Sequence, residues 1–202
     1  MEGSSAADFG KEVIPEAISS RRVLACLFDG YWEDIGTIRS FHRAHLALAS
    51  MRPPFNFYDQ DHRVFSHPRF LPGSKVNACR LRACVLSDGC IVDDATVEEA
   101  IVGVRTIIGA GATIRRSVLM GADFFETDAD RSENRRLGRP DVGVGPGCVI
   151  ENAIIDKNAR IGRGVKIINP AHLDHQDGQG YHIRDGIVVV PKDAAIADGT
   201  AI

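Results

Sequence analysis

Residues 91–120 read IVDDATVEEAIVGVRTIIGAGATIRRSVLM, and the spacing of aliphatic side chains within them decides the fold. Ile91 and Val97 lie six apart, and after a one-residue slip Val102, Ile108, Ile114 and Met120 keep the same step. The series reaches back to Cys79 and Val85. It resumes at Val149, Ile155, Ile161 and Ile167, and again at Val190, Ile196 and Ile202. Each unit opens on an apolar residue and usually carries a small one at its fifth place, as in Ile108-Gly-Ala-Gly-Ala-Thr113. A helix repeats every 3.6 residues and a half-buried strand every two, so neither yields a step of six. A triangular solenoid does, with one short strand on each side. About 18 residues then complete a turn of a parallel β-helix, and the chain has room for about four to five turns. The opening aliphatics point inward and stack, the small residues fit the corners, and Gly and Asn take the turns where positive φ is cheap.

Two stretches interrupt the period. Gly121–Asp141 (GADFFETDADRSENRRLGRPD) and Asn169–Gly186 are polar and read as excursions from the solenoid. The second holds His172, His175 and His182. His172-x-x-His175 could be a metal pair, but no third ligand is evident, so a loop is the stronger reading. Residues 1–75 do not follow the repeat. Val23–Asp29 (VLACLFD) reads as a strand and Gly30–Gly36 as a turn. Thr37 then caps a helix (IRSFHRAHLALAS) with Ile38, Phe41, His45 and Leu48 near one face. Met51–Gly73 contains Pro and aromatic residues and reads as extended. The expected organisation is 1–52 as the remnant of an α/β domain, 53–76 as a connector and 77–202 as the solenoid.

Composition narrows the function classes. The chain has 202 residues with 24 basic and 27 acidic side chains, a net charge of −3. No basic field favours nucleic acid or an anionic membrane. No apolar run approaches the roughly 20 residues that span a bilayer. Aromatics make up only 6%, which suits a thin interior of short aliphatics. Cys26, Cys79, Cys84, Cys90 and Cys148 are odd in number and contain no CxxC pair, so reduced thiols are expected and zinc is not. Residues 1–20 show neither a secretory h-region nor an Arg-rich transit pattern, so no targeting segment is expected in this chain.

Candidate chemistry lies in Asp29-Gly-Tyr-Trp-Glu-Asp-Ile-Gly-Thr37, where carboxylates follow a strand and precede a capped helix. Such an exit is a usual place for ligand groups in α/β folds, and an Asp there can hold Mg²⁺ against phosphate oxygens. By spacing alone, a turn or cap residue is the commoner explanation.

Gly30-Tyr-Trp-Glu-Asp-Ile-Gly-Thr-Ile38, followed by this helix and by hexapeptide repeats, resembles the second half of the ADP-glucose pyrophosphorylase (glucose-1-phosphate adenylyltransferase) family. DFGKEVIP (Asp8–Pro15), SVLMGADFFETDADR (Ser117–Arg131), AIIDKNARIG (Ala153–Gly162) and GIVVVPKDAAIADGTAI (Gly186–Ile202) extend the resemblance over nearly the whole chain. The likeness is to the plant, algal and cyanobacterial type, and ETDADR leans towards the small, catalytic-type subunit.

The resemblance implies a mainly β fold, a left-handed parallel β-helix preceded by a short remnant of a Rossmann-like nucleotidyltransferase domain. It implies conversion of ATP and glucose 1-phosphate to ADP-glucose and pyrophosphate in starch or glycogen synthesis, with Mg²⁺. Asp34 matches a metal-binding, catalytic Asp, and Glu33 and Trp32 would shape the substrate pocket. The family's GGxGTRL-type loop, first metal Asp and sugar-phosphate Lys are not in this sequence, so the chain alone is expected to be inactive. Lys157 and Lys192 match lysines that bind an anionic effector such as 3-phosphoglycerate. Arg69 matches an arginine of the same region, and His67 stands beside it where Gln is common. Homo- or hetero-tetramers are implied, in the plastid stroma for a plant or algal protein and otherwise in the cytoplasm. Two other readings stay open: a hexapeptide-repeat acyltransferase with a histidine base, and a non-catalytic regulatory partner of an intact subunit.

Overall fold

The structure, a computed structural model, describes residues 7–202; the stretch 1–6 at the start of the expected 1–52 segment lies outside the described residues. The chain divides into two compact units, one ending at Trp32 and one covering Glu33–Ile202.

In the first unit a π-helical turn (Phe9–Val13), capped by the Asp8 carboxylate on the Lys11 N–H at 2.7 Å, runs into helix α1 (Ile14–Ser20). The strand expected over Val23–Asp29 is not formed. A strand satisfies its N–H and C=O groups only against another strand, and among the described residues of this unit there is none. Leu24, Leu27 and Phe28 are exposed there.

The second unit is a parallel β-helix. Its first face stacks six short strands, Lys75–Asn77, Ile91–Asp93, Ile107–Ile108, Gly143–Val144, Arg160–Ile161 and Ala195–Ile196, in that order. Six rungs exceed the four to five turns expected. The second and third faces share strands Arg80–Leu86 and Thr96–Val102, which bend at Ala83 and Glu99, both with positive φ. Further up, the two faces are carried by separate strands such as Val149–Glu151 and Ala153–Ile155.

Three inward ladders fill the column. Val92, Ile108, Val144, Ile161 and Ile196 line the first face. Val97, Ile114, Ile150 and Ile167 line the second, and Leu86, Val102, Leu119, Ile155 and Val190 the third. Most are under 5% exposed. Burying each such side chain is worth about 1.5–3 kcal/mol. Two residues before these aliphatics, on the same face, sit the small corner residues Cys90, Ala95, Ala100, Ala112, Ser117, Cys148, Ala153 and Ala159, all buried. The fifth-place rule therefore holds.

The phase of the repeat differs from the expected one at several units. Val92, Leu119 and Ile150 point inward; Ile91, Val149 and Met120, expected there, do not. Likewise Leu86, not Val85, faces Val102 of the third ladder. The true step is five or six residues, because some corners spend one residue fewer than others. A one-residue slip moves a side chain to the opposite face, and where two aliphatics are adjacent the sequence pattern does not separate them.

The outer side of the third face is apolar too. Val85, Ile101, Val118, Ile154 and Val189 form an outward ladder. Helix α2 (Ile38–Leu48) covers it with Ile38, Phe41 and Leu46. Leu48 was expected on that face, but Leu46 takes the place. Thr37 and Ser40 form the expected cap as a reciprocal capping box. His42 is buried and its Nε2–H donates to the Arg116 carbonyl at 2.8 Å. The helix thus packs within the same unit as the solenoid. Residues 49–74 carry no helix or strand, and the first solenoid strand begins at Lys75, inside the 53–76 stretch expected as connector. On the outer second face Arg82, Glu98, Arg115 and Glu151 stack as a ladder of alternating charge.

Both excursions are present. The first leaves between Leu119 and Val144 and carries helix α3 (Asp128–Arg136). The second leaves after Ile167 and folds back as an antiparallel hairpin, His175–Gly178 with Tyr181–Arg184, that pairs onto Ile187–Val190.

Candidate functional site

The corner between the third and first faces holds two of the charged residues the sequence singled out, Lys157 and Lys192. There the Arg105 N–H bonds to Asp88, Ala122 to Val104, Asn158 to Gly121 and Asp193 to Lys157, each through backbone. This stacking puts Lys157 and Lys192, 35 residues apart in sequence, at equivalent places on successive coils, about 4.8 Å apart along the column. Each corner residue that follows them, Asn158 and Asp193, holds positive φ, which Asn and Asp accept more readily than most. Gly121, one coil earlier, is required: its φ is +88°, and a Cβ there would strike the Val104 carbonyl.

Just past Gly121 the first excursion begins, and its Asp123 turns onto both lysines. Lys157 Nζ donates to Asp123 Oδ1 at 3.0 Å, and Lys192 Nζ lies 3.0 Å from Oδ2. Asn158 reads the same residue twice. Its Nδ2 donates to Asp123 Oδ2 at 3.2 Å, and its Oδ1 accepts the Asp123 N–H at 2.8 Å. Hydrogen bonds from Lys157 and then Lys192 hold the Asp123 carboxyl well below the usual carboxylate range. In return Asp123 raises the Lys192 ammonium above its ordinary value. Two further carboxylates lie close but are committed elsewhere. Asp156 Oδ1 accepts the Lys157 N–H at 2.6 Å, and Asp193 Oδ1 accepts Asn158 Nδ2 at 3.0 Å. Asp123 and Asn158 were not singled out by sequence reasoning. No local spacing relates residue 123 to 157 and 192; only the coil count does.

The root of the excursion is clamped beside this corner. Glu126 Oε1 accepts from Arg160 Nη1 at 2.7 Å and Asn134 Nδ2 at 2.8 Å, and Oε2 from the Val142 N–H at 2.9 Å. Burial pushes the Glu126 carboxyl up, but these three donors together outweigh it and hold it below its ordinary value.

The other candidates are not drawn into this cluster. Arg69 and His67 are exposed on the connector and make no hydrogen bond or ion pair to either lysine. Asp34 is exposed, and its Oδ1 accepts the Gly36 N–H at 2.9 Å in a local turn. Glu33 pairs with Arg43 of α2. Trp32 is 77% exposed. Of the carboxylates that could make this segment a Mg²⁺ site, Glu33 is taken by Arg43 and Asp34 by its own turn, and among the described residues no group of three acidic, His or Cys side chains converges. The residues present do not fit the ion by themselves, and no step is routed through it. His172 and His175 are exposed, and His182 Nδ1 lies 2.6 Å from Asp177 on the hairpin. No helix among the described residues is long and apolar enough to cross a membrane.

Chemically, two ammonium groups on one corner, backed by an amide, are hydrogen-bond donors of the kind that pair with anionic oxygens, and here they pair with the Asp123 carboxylate. Comparison with known families gives two matches. Residues 69–201, about two thirds of the chain, match the GLGC left-handed parallel beta-helix domain. Residues 1–51 match the nucleotidyl transferase family.

Proposed function

The chain belongs to the GLGC left-handed parallel β-helix family, with a nucleotidyl transferase segment before that domain, and on that premise we propose that it serves an ADP-glucose pyrophosphorylase of the plant, algal or cyanobacterial type, nearest the small subunit. The activity in question is ATP plus glucose 1-phosphate to ADP-glucose and pyrophosphate, with Mg²⁺ in the complete site. In this reading residues 77–202 contribute the effector-binding and assembly part of a homo- or hetero-tetramer. The 202 residues contain no GGxGTRL-type loop, so no turnover is expected from the chain alone.

The observation that carries the reading is the convergence of Lys157 and Lys192 on one carboxylate at 3.0 Å each. A phosphate-bearing acid such as 3-phosphoglycerate presents the same kind of acceptor with more charge. The test is calorimetric titration of the full chain with 3-phosphoglycerate. Lys157→Ala and Lys192→Ala should each weaken binding by roughly tenfold, the value of a charge-assisted hydrogen bond. Unchanged affinity in the doubly substituted chain would reject the site. Arg69→Ala belongs in the same series, because Arg69 touches neither lysine and its share is read only with ligand present.

A further inference from the structure

The lysine pair is already satisfied, and by a group of this chain's own. Asp123 gives one carboxylate oxygen to each ammonium group at 3.0 Å, and Oδ2 also takes Asn158 Nδ2 at 3.2 Å. Resting on the effector-site reading above, we propose that the Asp123 carboxylate is a built-in occupant of the two-lysine corner, and that an anionic ligand enters only by exchanging with it.

The backbone and side chain of Asp123 are held separately. Its N–H is fixed by Asn158 Oδ1 at 2.8 Å, while its carboxylate is held by two lysines that face water and by the buried Asn158 Nδ2, which keeps Asp193 Oδ1 as a partner when Asp123 turns away. The side chains of Asp123, Lys157 and Lys192 are 41%, 31% and 51% exposed. Rotation of the Asp123 side chain therefore frees both lysines without unseating the excursion. Exposed ion pairs are individually weak and screened, so this exchange is easy. Asp156 and Asp193 stay beside the corner, each with its Oδ1 bound, to the Lys157 N–H and to the Asn158 amide.

Exchange also sets selectivity. A simple carboxylate monoanion swaps like for like and gains little. A phosphate dianion brings twice the charge and three acceptor oxygens against the same two ammonium groups. The internal carboxylate thus tunes the corner to phosphate-bearing acids and sets the concentration at which they bind. It does so without any change of fold.

The experiment uses the full chain with inorganic phosphate as probe, and acetate as the monoanion, by calorimetric titration. Asp123→Asn keeps the side-chain shape and removes the charge. Loss of two exposed competing pairs should tighten phosphate about two- to thirtyfold, and acetate should bind detectably only to that variant. If Asp123→Asn binds phosphate no better than the unsubstituted chain while Lys157→Ala and Lys192→Ala still lose it, the lysine site stands and the internal occupant is wrong. If phosphate binding to Asp123→Asn is absent, or indifferent to removal of both lysines, the lysine site itself falls, and this proposal with it. A second readout needs no substitution. At constant pH near 7 the Asp123 carboxyl ¹³C resonance should shift as phosphate saturates the chain, because the carboxylate is released from the lysines. A resonance that stays put at saturation overturns the exchange.

Discussion

Replacing Glu126 by Ala should release the first excursion from the solenoid. The Glu126 and Arg160 side chains are only 3% and 13% exposed. Truncation removes the acceptor of three donors at 2.7–2.9 Å. Two of them keep a partner: Asn134 Nδ2 still reaches Asp141 at 2.7 Å, and Arg160 Nη1 the Pro140 carbonyl at 2.9 Å. The penalty therefore falls on the Val142 N–H and on the Arg160 charge. An unpartnered buried N–H costs about 1–3 kcal/mol, and breaking one side of a buried ion pair about 3–5 kcal/mol in total. Glu126→Gln keeps one acceptor and should cost about 1–3 kcal/mol. The loss is local, so native-state hydrogen exchange of the α3 amides is the assay. Their opening should rise by about 10²- to 10⁴-fold in Glu126→Ala, with the core strands slower to respond. Acid should do the same. The folded Glu126 carboxyl sits below its ordinary value, so its contribution is whole above that value and fades as pH falls through the folded one. Glu133→Ala, which loses only an exposed pair with Arg136, is the control and should stay within about 1 kcal/mol. Exchange in Glu126→Ala within threefold of the unsubstituted chain would refute the clamp.

Two further outcomes test the packing. Ile150→Ala, at a site 0% exposed, should lower stability to urea by about 2–5 kcal/mol. Ile91→Ala, 39% exposed, should cost less than about 1 kcal/mol, and equal losses would show that the inward register is misassigned. Burial drives the His42 pKa below its ordinary 6.5 against the opposing bond to the Arg116 carbonyl. The unfolded chain then takes up a proton first, so stability falls as pH drops below about 6.5 until the folded value is passed. Thermal unfolding between pH 8 and 5 should show this loss reduced in His42→Gln, and parallel curves would count against it.

The repeat was legible because a β-helix is nearly one-dimensional: each coil meets only its neighbours, so the same demand for a small corner and an inward aliphatic recurs at short range. The helix cap at Thr37 and the two polar excursions were legible for the same local reason. Three things were not. Whether Ile91 or Val92 faces inward depends on how many residues each corner spends, which neighbouring coils decide through their backbone hydrogen bonds. A strand at 23–29 needs a partner strand, whatever its own preference for extended backbone. And the ring of Asp123, Lys157, Asn158 and Lys192 is assembled by stacking. Sequence alone determined the solenoid and marked both lysines. Only the tertiary structure set them on one corner and placed a carboxylate of the same chain between them, because contact between residues 123, 157 and 192 is a property of coil count and not of any local pattern.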